Sequence, residues 1–173
     1  MKHYPAPWSR MLIVMSAVVT VVCLGTTLIT VSVSGTAPWL WSTTNGGYGG
    51  WLGWLGLLPV LLLGGCALFT IRGYTIMPEA ILVRRLLWST RLPRADLQLA
   101  HCDPDAMRGS IRTFGNGGAF SFSGFYYNKL LGSYRALVTD PRRAVVLRYA
   151  RRIVVVSPET PEAFARELSL SAT

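Results

Sequence analysis

The stretch from residue 11 to residue 71 contains no Lys, Arg, Asp or Glu, and this feature constrains the fold most strongly. Two apolar segments lie inside it, Met11–Ser34 and Trp51–Ile71. At about 1.5 Å per helical residue, each is long enough to cross the roughly 30 Å hydrocarbon core of a bilayer. The sequence therefore predicts a hairpin of two transmembrane helices, at 11–34 and 51–71, followed by one charged domain.

Basic residues flank the charge-free stretch on both sides. Lys2 and Arg10 lie in the N-terminal segment 1–10, and Arg72 begins the charged domain. Because an excess of Lys and Arg marks the cytoplasmic flanks of membrane helices, we expect both termini in the cytoplasm. The neutral loop 35–50 is then extracytoplasmic. Aromatic residues typical of a membrane interface cluster in and beside this loop: Trp39, Trp41, Tyr48, Trp51 and Trp54.

A secretory signal peptide is the alternative interpretation of the first segment. Met1–Arg10 would be its basic region, and Ser32–Ser34 would be its small-x-small cleavage site. The apolar run is longer than the roughly 7–15 residues of an ordinary signal peptide, which favours a transmembrane helix. A GxxxG pattern at Gly49 and Gly53 leaves a homo-oligomer open.

Beyond residue 71 the sequence changes to short extended segments separated by turn residues, the pattern of an antiparallel sheet. The predicted strands are Tyr74–Met77, Ala80–Trp88, Leu92–Ala100, Ile111–Phe114, Tyr134–Thr139, Ala144–Tyr149 and Arg152–Val156. The glycine-rich and aromatic passage 115–132 is predicted to be a mobile or surface loop. The last three strands are expected to form a meander, in which Asp140–Arg143 is a type I turn between partner strands.

A short helix is predicted to close the domain. Ser157–Glu162 contains a capping hydroxyl, prolines suited to a first helical turn and acidic residues near the positive end of the helix dipole. Phe164 and Leu168 lie four residues apart and form an apolar stripe. Residues 72–173 therefore read as one α+β domain.

This order of elements, together with several short motifs, resembles the bacterial pleckstrin-homology (PH) domain family. The motifs are Arg112–Gly118, Leu131–Tyr134, Leu137–Asp140, Val155–Glu159, and Pro161-Glu162 with Phe164. The resemblance covers residue 72 to about residue 170. It implies a bent antiparallel β-sandwich of six to seven strands closed by a C-terminal α-helix. It also implies a membrane-tethered setting, hence the inner (plasma) membrane of a bacterial cell, and carries no defined activity.

The first hairpin loop departs from the pattern of lipid-binding PH domains, which hold phosphoinositide headgroups with basic residues there. In this chain the loop is Met77–Glu79, with no basic residue and one acid. We therefore expect no phosphoinositide pocket of that kind.

Two clusters carry residue types that could support chemistry. His101, Cys102, Asp103 and Asp105 are metal-ligand types, but they lack the spacing of a zinc site, and the sequence favours an Asx-type turn. Gly115–Gly118 lacks the strand-and-helix context of a nucleotide-binding loop. We expect no catalytic residue, no metal and no cofactor, and thus no enzyme.

Arginines are the strongest remaining signal. Three pairs form a candidate anionic or partner surface: Arg84-Arg85, Arg142-Arg143 and Arg151-Arg152. If successive strands leave and return to the membrane, Trp88, Arg91 and Arg94 face the bilayer surface.

The leading hypothesis is a cytoplasmic binding or scaffolding module on a membrane anchor. It recognises a protein partner through an exposed strand edge or the groove beside the C-terminal helix, with secondary contact to anionic lipid. The alternative is a regulatory or accessory subunit of a membrane enzyme or transporter complex. Neither apolar segment contains the ionisable residue usual in transport, and a nucleic-acid partner is not expected.

Overall fold

The computed structural model describes residues 2–34 and 49–170. The helices are α1 Arg10–Ser34, α2 Gly49–Leu68 and α3 Pro161–Leu170. The strands are β1 Lys2–Pro5, β2 Ile71–Ile76, β3 Ala80–Arg85, β4 Ser89–Pro93, β5 Leu97–Cys102, β6 Ile111–Gly117, β7 Phe122–Asn128, β8 Gly132–Val138, β9 Val145–Tyr149 and β10 Ile153–Val156. Most of the predicted extracytoplasmic loop, with Trp39, Trp41 and Tyr48, lies outside the described residues, as do the side chains of Trp51 and Trp54.

Helices α1 and α2 pack against each other at one end of the strands. Arg10–Thr30 is long and apolar enough to be a membrane anchor or a signal sequence. The apolar part of α2 with described side chains, Leu57–Leu68, is shorter. Within the described residues one candidate span is therefore found, and the second span stays a prediction.

The first sheet has the order β1-β2-β3-β4 and is antiparallel throughout. Its edge strand β1 comes from the N-terminal segment, for which no strand was expected. Lys2 pairs with Ile76, and Pro5 pairs with Gly73. The strand places Tyr4 in the main core, where burial of its ring stabilises the pairing with β2.

The second sheet has the order β5-β9-β10-β8-β7-β6. Strand β10 lies between β9 and β8 and runs parallel to β8. The predicted meander is therefore wrong, since β8 and β9 are not partners, although Asp140 does begin a tight turn at Pro141–Arg143. The reason is burial: Val154, Val155 and Val156 are all fully buried, so β10 needs a central position with both faces covered.

Three further predictions need correction. The predicted strand Ala80–Trp88 ends at Arg85, and Leu86–Trp88 forms the turn to β4. The predicted strand Leu92–Ala100 is broken at Arg94–Asp96, because β4 and β5 belong to different sheets. The predicted loop 115–132 is mostly a hairpin, since β6 extends to Gly117 and β7 follows. Gly115, at φ 111°, allows the two backbones a close approach that any Cβ would block.

The main core lies between the sheets and is closed by α3, as predicted. Phe164 and Leu168 are fully buried, so the predicted apolar stripe is confirmed. A second core covers the outer face of the six-stranded sheet, where Ala106 packs with Tyr126 and Tyr134. The β-sandwich with a C-terminal helix fits the predicted class, with nine strands in residues 71–170 where six to seven were expected.

Candidate functional site

The end of α2 is held to the sandwich by one buried arginine. Arg85 is 7% exposed and donates from Nη1 to the Phe69 carbonyl at 2.8 Å and from Nη2 to Ser123 Oγ at 2.9 Å. A cation near the last carbonyls of a helix is favoured by the helix dipole. Burial and the nearby Arg135 lower the pKa of Arg85. No carboxylate pairs with Arg85 anywhere in the described chain.

Two aromatic rings meet at this junction. Phe69 and Trp88 are edge to face, with ring centroids 5.1 Å apart, and the guanidinium of Arg85 lies 5.4 Å and 5.9 Å from their centroids. The turn between β3 and β4, Leu86–Trp88, is exposed beside them. An apolar, solvent-facing turn therefore lies next to the end of α2.

The tip of the β6–β7 hairpin lies against both helices. The amide of Phe120 donates to Ser16 Oγ in α1 at 2.9 Å, and Ser121 Oγ donates to the Phe69 carbonyl at 3.1 Å. Phe120 also packs against Trp8, with centroids 6.2 Å apart, and adopts a positive φ of 63°. Non-glycine residues rarely adopt this conformation, so the helix contacts stabilise a strained tip.

The groove beside α3, one of the two predicted partner sites, is filled by the chain itself. Tyr4 packs edge to face on Phe164 at 5.1 Å and donates to Glu167 Oε2 at 2.8 Å. Lys2 forms an ion pair with the same carboxylate at 2.9 Å. Hydrogen bonds from Lys2 and Tyr4 hold the pKa of Glu167 below its ordinary value, while burial and Glu167 raise the pKa of Tyr4 to about 12.

An uncovered apolar surface lies on the β6–β7 hairpin, and we call it the hairpin face. It consists of Ile111, Phe114, Phe125 and Tyr127, which pair across the strands as Ile111 with Tyr127 and Phe114 with Phe125. Phe114 is 76% exposed and Phe125 52%. The four-stranded sheet is narrower than the six-stranded sheet, and the hairpin strands β7 and β6 lie at one edge of the wider sheet, so their apolar side chains remain uncovered. Ile111 and Phe114 lie in a predicted strand, but sequence reasoning missed the surface because it assigned Phe125 and Tyr127 to a loop, although their aromatic, period-two pattern is typical of a strand.

The three residues predicted to face the bilayer lie at different distances from the end of α2. Trp88 lies at the end of α2, whereas Arg94 donates to the Met77 carbonyl at the opposite end of β4. Arg91 pairs with Glu79 at 3.1 Å. Membrane contact by these residues stays a prediction, and the position of Trp88 is the one that favours it.

The three arginine pairs are not brought together. Arg84 is exposed next to buried Arg85. Arg142 and Arg143 lie near Asp140. This turn is close to the start of α1, as the hydrogen bond from the amide of Ser9 to the carbonyl of Thr139 shows. Arg151 and Arg152 lie at the other end of β9, where the amide of Ala150 donates to the carbonyl of Asp96. A single anionic or partner surface made of all six residues stays a prediction that this separation does not favour.

The predicted turn after β5 is present. The amide of Asp105 donates to Asp103 Oδ1 at 3.0 Å, which is Asx-turn geometry. In residues 2–34 and 49–170 no three His, Cys, Asp or Glu side chains come close enough together to hold a metal ion.

One comparison with known proteins gave a match. A family model described as Bacterial PH domain matches residues 72–171. The curated proteins and the solved structures gave no match.

Proposed function

The chain belongs to the bacterial PH-domain family, and from this membership we propose that it is a membrane-attached module that holds a protein partner at the membrane surface. The family supports a binding or scaffolding role. The proposal assigns the chain no catalytic residue and no cofactor.

The hairpin face is the observation that carries the proposal. Large aromatic side chains left exposed on one continuous surface are typical of protein interfaces. This surface is also the most accessible candidate, because Tyr4 already fills the groove beside α3. The hairpin tip contacts both helices, so a partner bound on the hairpin face would lie close to the membrane.

The pairing of β1 with β2 supports attachment by two spans. These strands flank the helices in sequence, and their pairing requires both to lie on one side of the membrane. The chain between them must then cross the bilayer an even number of times. With α1 as one span, α2 supplies the second, and its 20 residues reach about 30 Å. We propose that the domain faces the cytoplasm of the bacterial cell.

Site-specific photo-cross-linking in intact membranes tests the partner site. A photoreactive phenylalanine analogue at Phe125 should capture one defined partner, and the same analogue at Leu99 should not. Leu99 is 52% exposed, as Phe125 is, but it lies on β5, at the edge of the six-stranded sheet opposite to β6. Phe114→Asp should abolish capture from Phe125, since it charges the facing position. Capture that is equal at both sites, or that survives Phe114→Asp, contradicts the proposal.

A second candidate function is that of a regulatory or accessory subunit in a membrane enzyme or transporter complex. It is favoured by the hairpin tip, because Ser16 in α1 and Phe69 directly after α2 accept hydrogen bonds from this tip. In that case a photoreactive residue at Val18, exposed on α1, should capture an integral membrane protein. A scaffold that uses only the hairpin face predicts no capture from Val18.

A further inference from the structure

We propose that the β3–β4 turn Leu86–Trp88, which we call the apolar tip, inserts into the interface of an anionic lipid bilayer beside the end of α2. The inference rests on the membrane attachment proposed above and adds a second, peripheral contact. It places a lipid-binding element at the end of the sandwich opposite the Met77–Glu79 loop.

The position of the tip points to lipid as its occupant. Ile71, the first residue of β2, pairs with Arg85, the last residue of β3. The apolar tip follows Arg85 directly and therefore begins beside the end of α2. Trp88 then packs on Phe69, the residue directly after α2. If α2 leaves the membrane at this level, the tip meets the headgroup region. Trp is the residue type that prefers this region.

The tip is apolar and held rigidly. Leu86, Leu87 and Trp88 are all exposed, and Leu87 is 72% exposed. A tight turn in water ordinarily carries Gly, Asn, Asp or Ser, so a Leu-Leu-Trp turn is unusual for a purely aqueous position. The amide of Arg85 donates to the carbonyl of Trp88 at 2.9 Å, and the Arg85 side chain is fixed on Phe69 and Ser123. A preorganised tip has little conformational freedom to lose on insertion.

The charge around the tip favours anionic lipid. Arg72 and Arg84 are exposed beside it, and neither side chain forms an ion pair or hydrogen bond within the described residues. Between residues 70 and 95 the only acid is Glu79, which lies at the far turn and pairs with Arg91. Basic side chains at this height are attracted by negatively charged headgroups.

The test uses the full chain in vesicles of phosphatidylcholine, with or without an equal part of phosphatidylglycerol. Cys23, Cys66 and Cys102 are replaced by alanine, and a polarity-sensitive fluorophore is attached at Leu87→Cys or, as a control, at Leu130→Cys. The two positions are equally exposed, at 72% and 73%, but Leu130 lies at the end of β7 away from the helices. We expect lipid-borne quenchers to act several-fold more strongly at Leu87, most of all with phosphatidylglycerol.

Charge is tested in the same labelled chain. Arg72→Gln with Arg84→Gln should remove the extra quenching that phosphatidylglycerol produces at Leu87, and Arg151→Gln should leave it unchanged. Equal quenching at Leu87 and Leu130, in a chain that stays in the membrane after alkaline extraction, overturns the insertion of the tip alone. Release of the chain by alkaline extraction overturns the proposed attachment instead. If quenching at Leu87 is the same in vesicles with and without phosphatidylglycerol, the preference for anionic lipid is overturned.

Discussion

At the scale of single residues, Arg85 connects three parts of the molecule. Its guanidinium donates hydrogen bonds to the carbonyl of Phe69, at the end of α2, and to the hydroxyl of Ser123, in the six-stranded sheet. It also lies near the hydroxyl of Thr90 in β4. The sequence presents it only as one half of an arginine pair. Alternation along β3 predicts that Arg84 and Arg85 face opposite sides, but only the packing of the sheets makes one of them buried.

We expect Arg85→Lys to destabilise the protein, because an ammonium group lacks the planar fork that reaches Phe69 and Ser123 together. The loss of one charged hydrogen bond costs about 2 kcal/mol of unfolding free energy. Arg84→Lys is the matched control at the neighbouring exposed position and should change it by less than about 0.5 kcal/mol. Thermal unfolding in detergent micelles measures both. Equal stability of the two variants would show that the fork is not needed.

At the scale of elements, β1 and the β6–β7 hairpin join the helices to the sandwich. Strand β1 closes one edge of the four-stranded sheet, and the hairpin tip contacts both helices. Strand β1, which is only four residues long, was not predicted, and of the glycine-rich hairpin only Ile111–Phe114 was expected to be a strand. Glycine usually indicates a loop, but here it allows a close approach between strands.

Removing the Ser16 hydroxyl should loosen the hairpin tip. Ser16→Ala leaves the Phe120 amide without its acceptor, so we expect this amide to exchange hydrogen faster in micelles. Thr20→Ala is the control one turn further along α1, because the Thr20 hydroxyl bonds only its own helix at the Ser16 carbonyl. Identical exchange at Phe120 in both variants would mean that the Ser16 contact does not order the tip.

The attachment of β1 should weaken in acid. The folded-state pKa of Glu167 is lowered by Lys2 and Tyr4, so its contribution to stability is present above the ordinary carboxylate pKa. This contribution is lost as the pH falls through the lowered value. We expect the thermal midpoint to fall over that acid range in the natural chain and to fall less in Glu167→Gln. Glu79→Gln removes an exposed ion pair and should keep the natural pH dependence. The same acid response in all three chains would argue against this role of Glu167.

At the scale of the whole molecule, strand pairing and membrane topology constrain each other. A single crossing between residues 5 and 71 would place β1 and β2 on opposite sides and break the four-stranded sheet. The charge distribution points to the same arrangement, with basic flanks on both sides of an uncharged stretch.

Cysteine labelling in intact cells tests this topology. We expect an impermeant thiol reagent to label Ser42→Cys, between the two helices in sequence, and to spare His3→Cys and Arg151→Cys until the membrane is opened. His3 and Arg151 must behave alike if β1 pairs with β2. Labelling of one of these two without the other would exclude the paired strands, and labelling of both but not Ser42 would reverse the orientation.

The family resemblance implied the sandwich, and the sequence by itself determined the apolar segments, the α+β domain from residue 72 and the closing helix. These depend on local signals: long uncharged runs, turn residues, and Phe164 four residues before Leu168. Only the tertiary structure decided that β10 separates β8 from β9, that β1 fills the groove beside α3, and that Arg85 is buried at the helix junction. Those outcomes depend on which surfaces remain to be covered once the elements pack, and such long-range competition for burial leaves no local pattern in the chain.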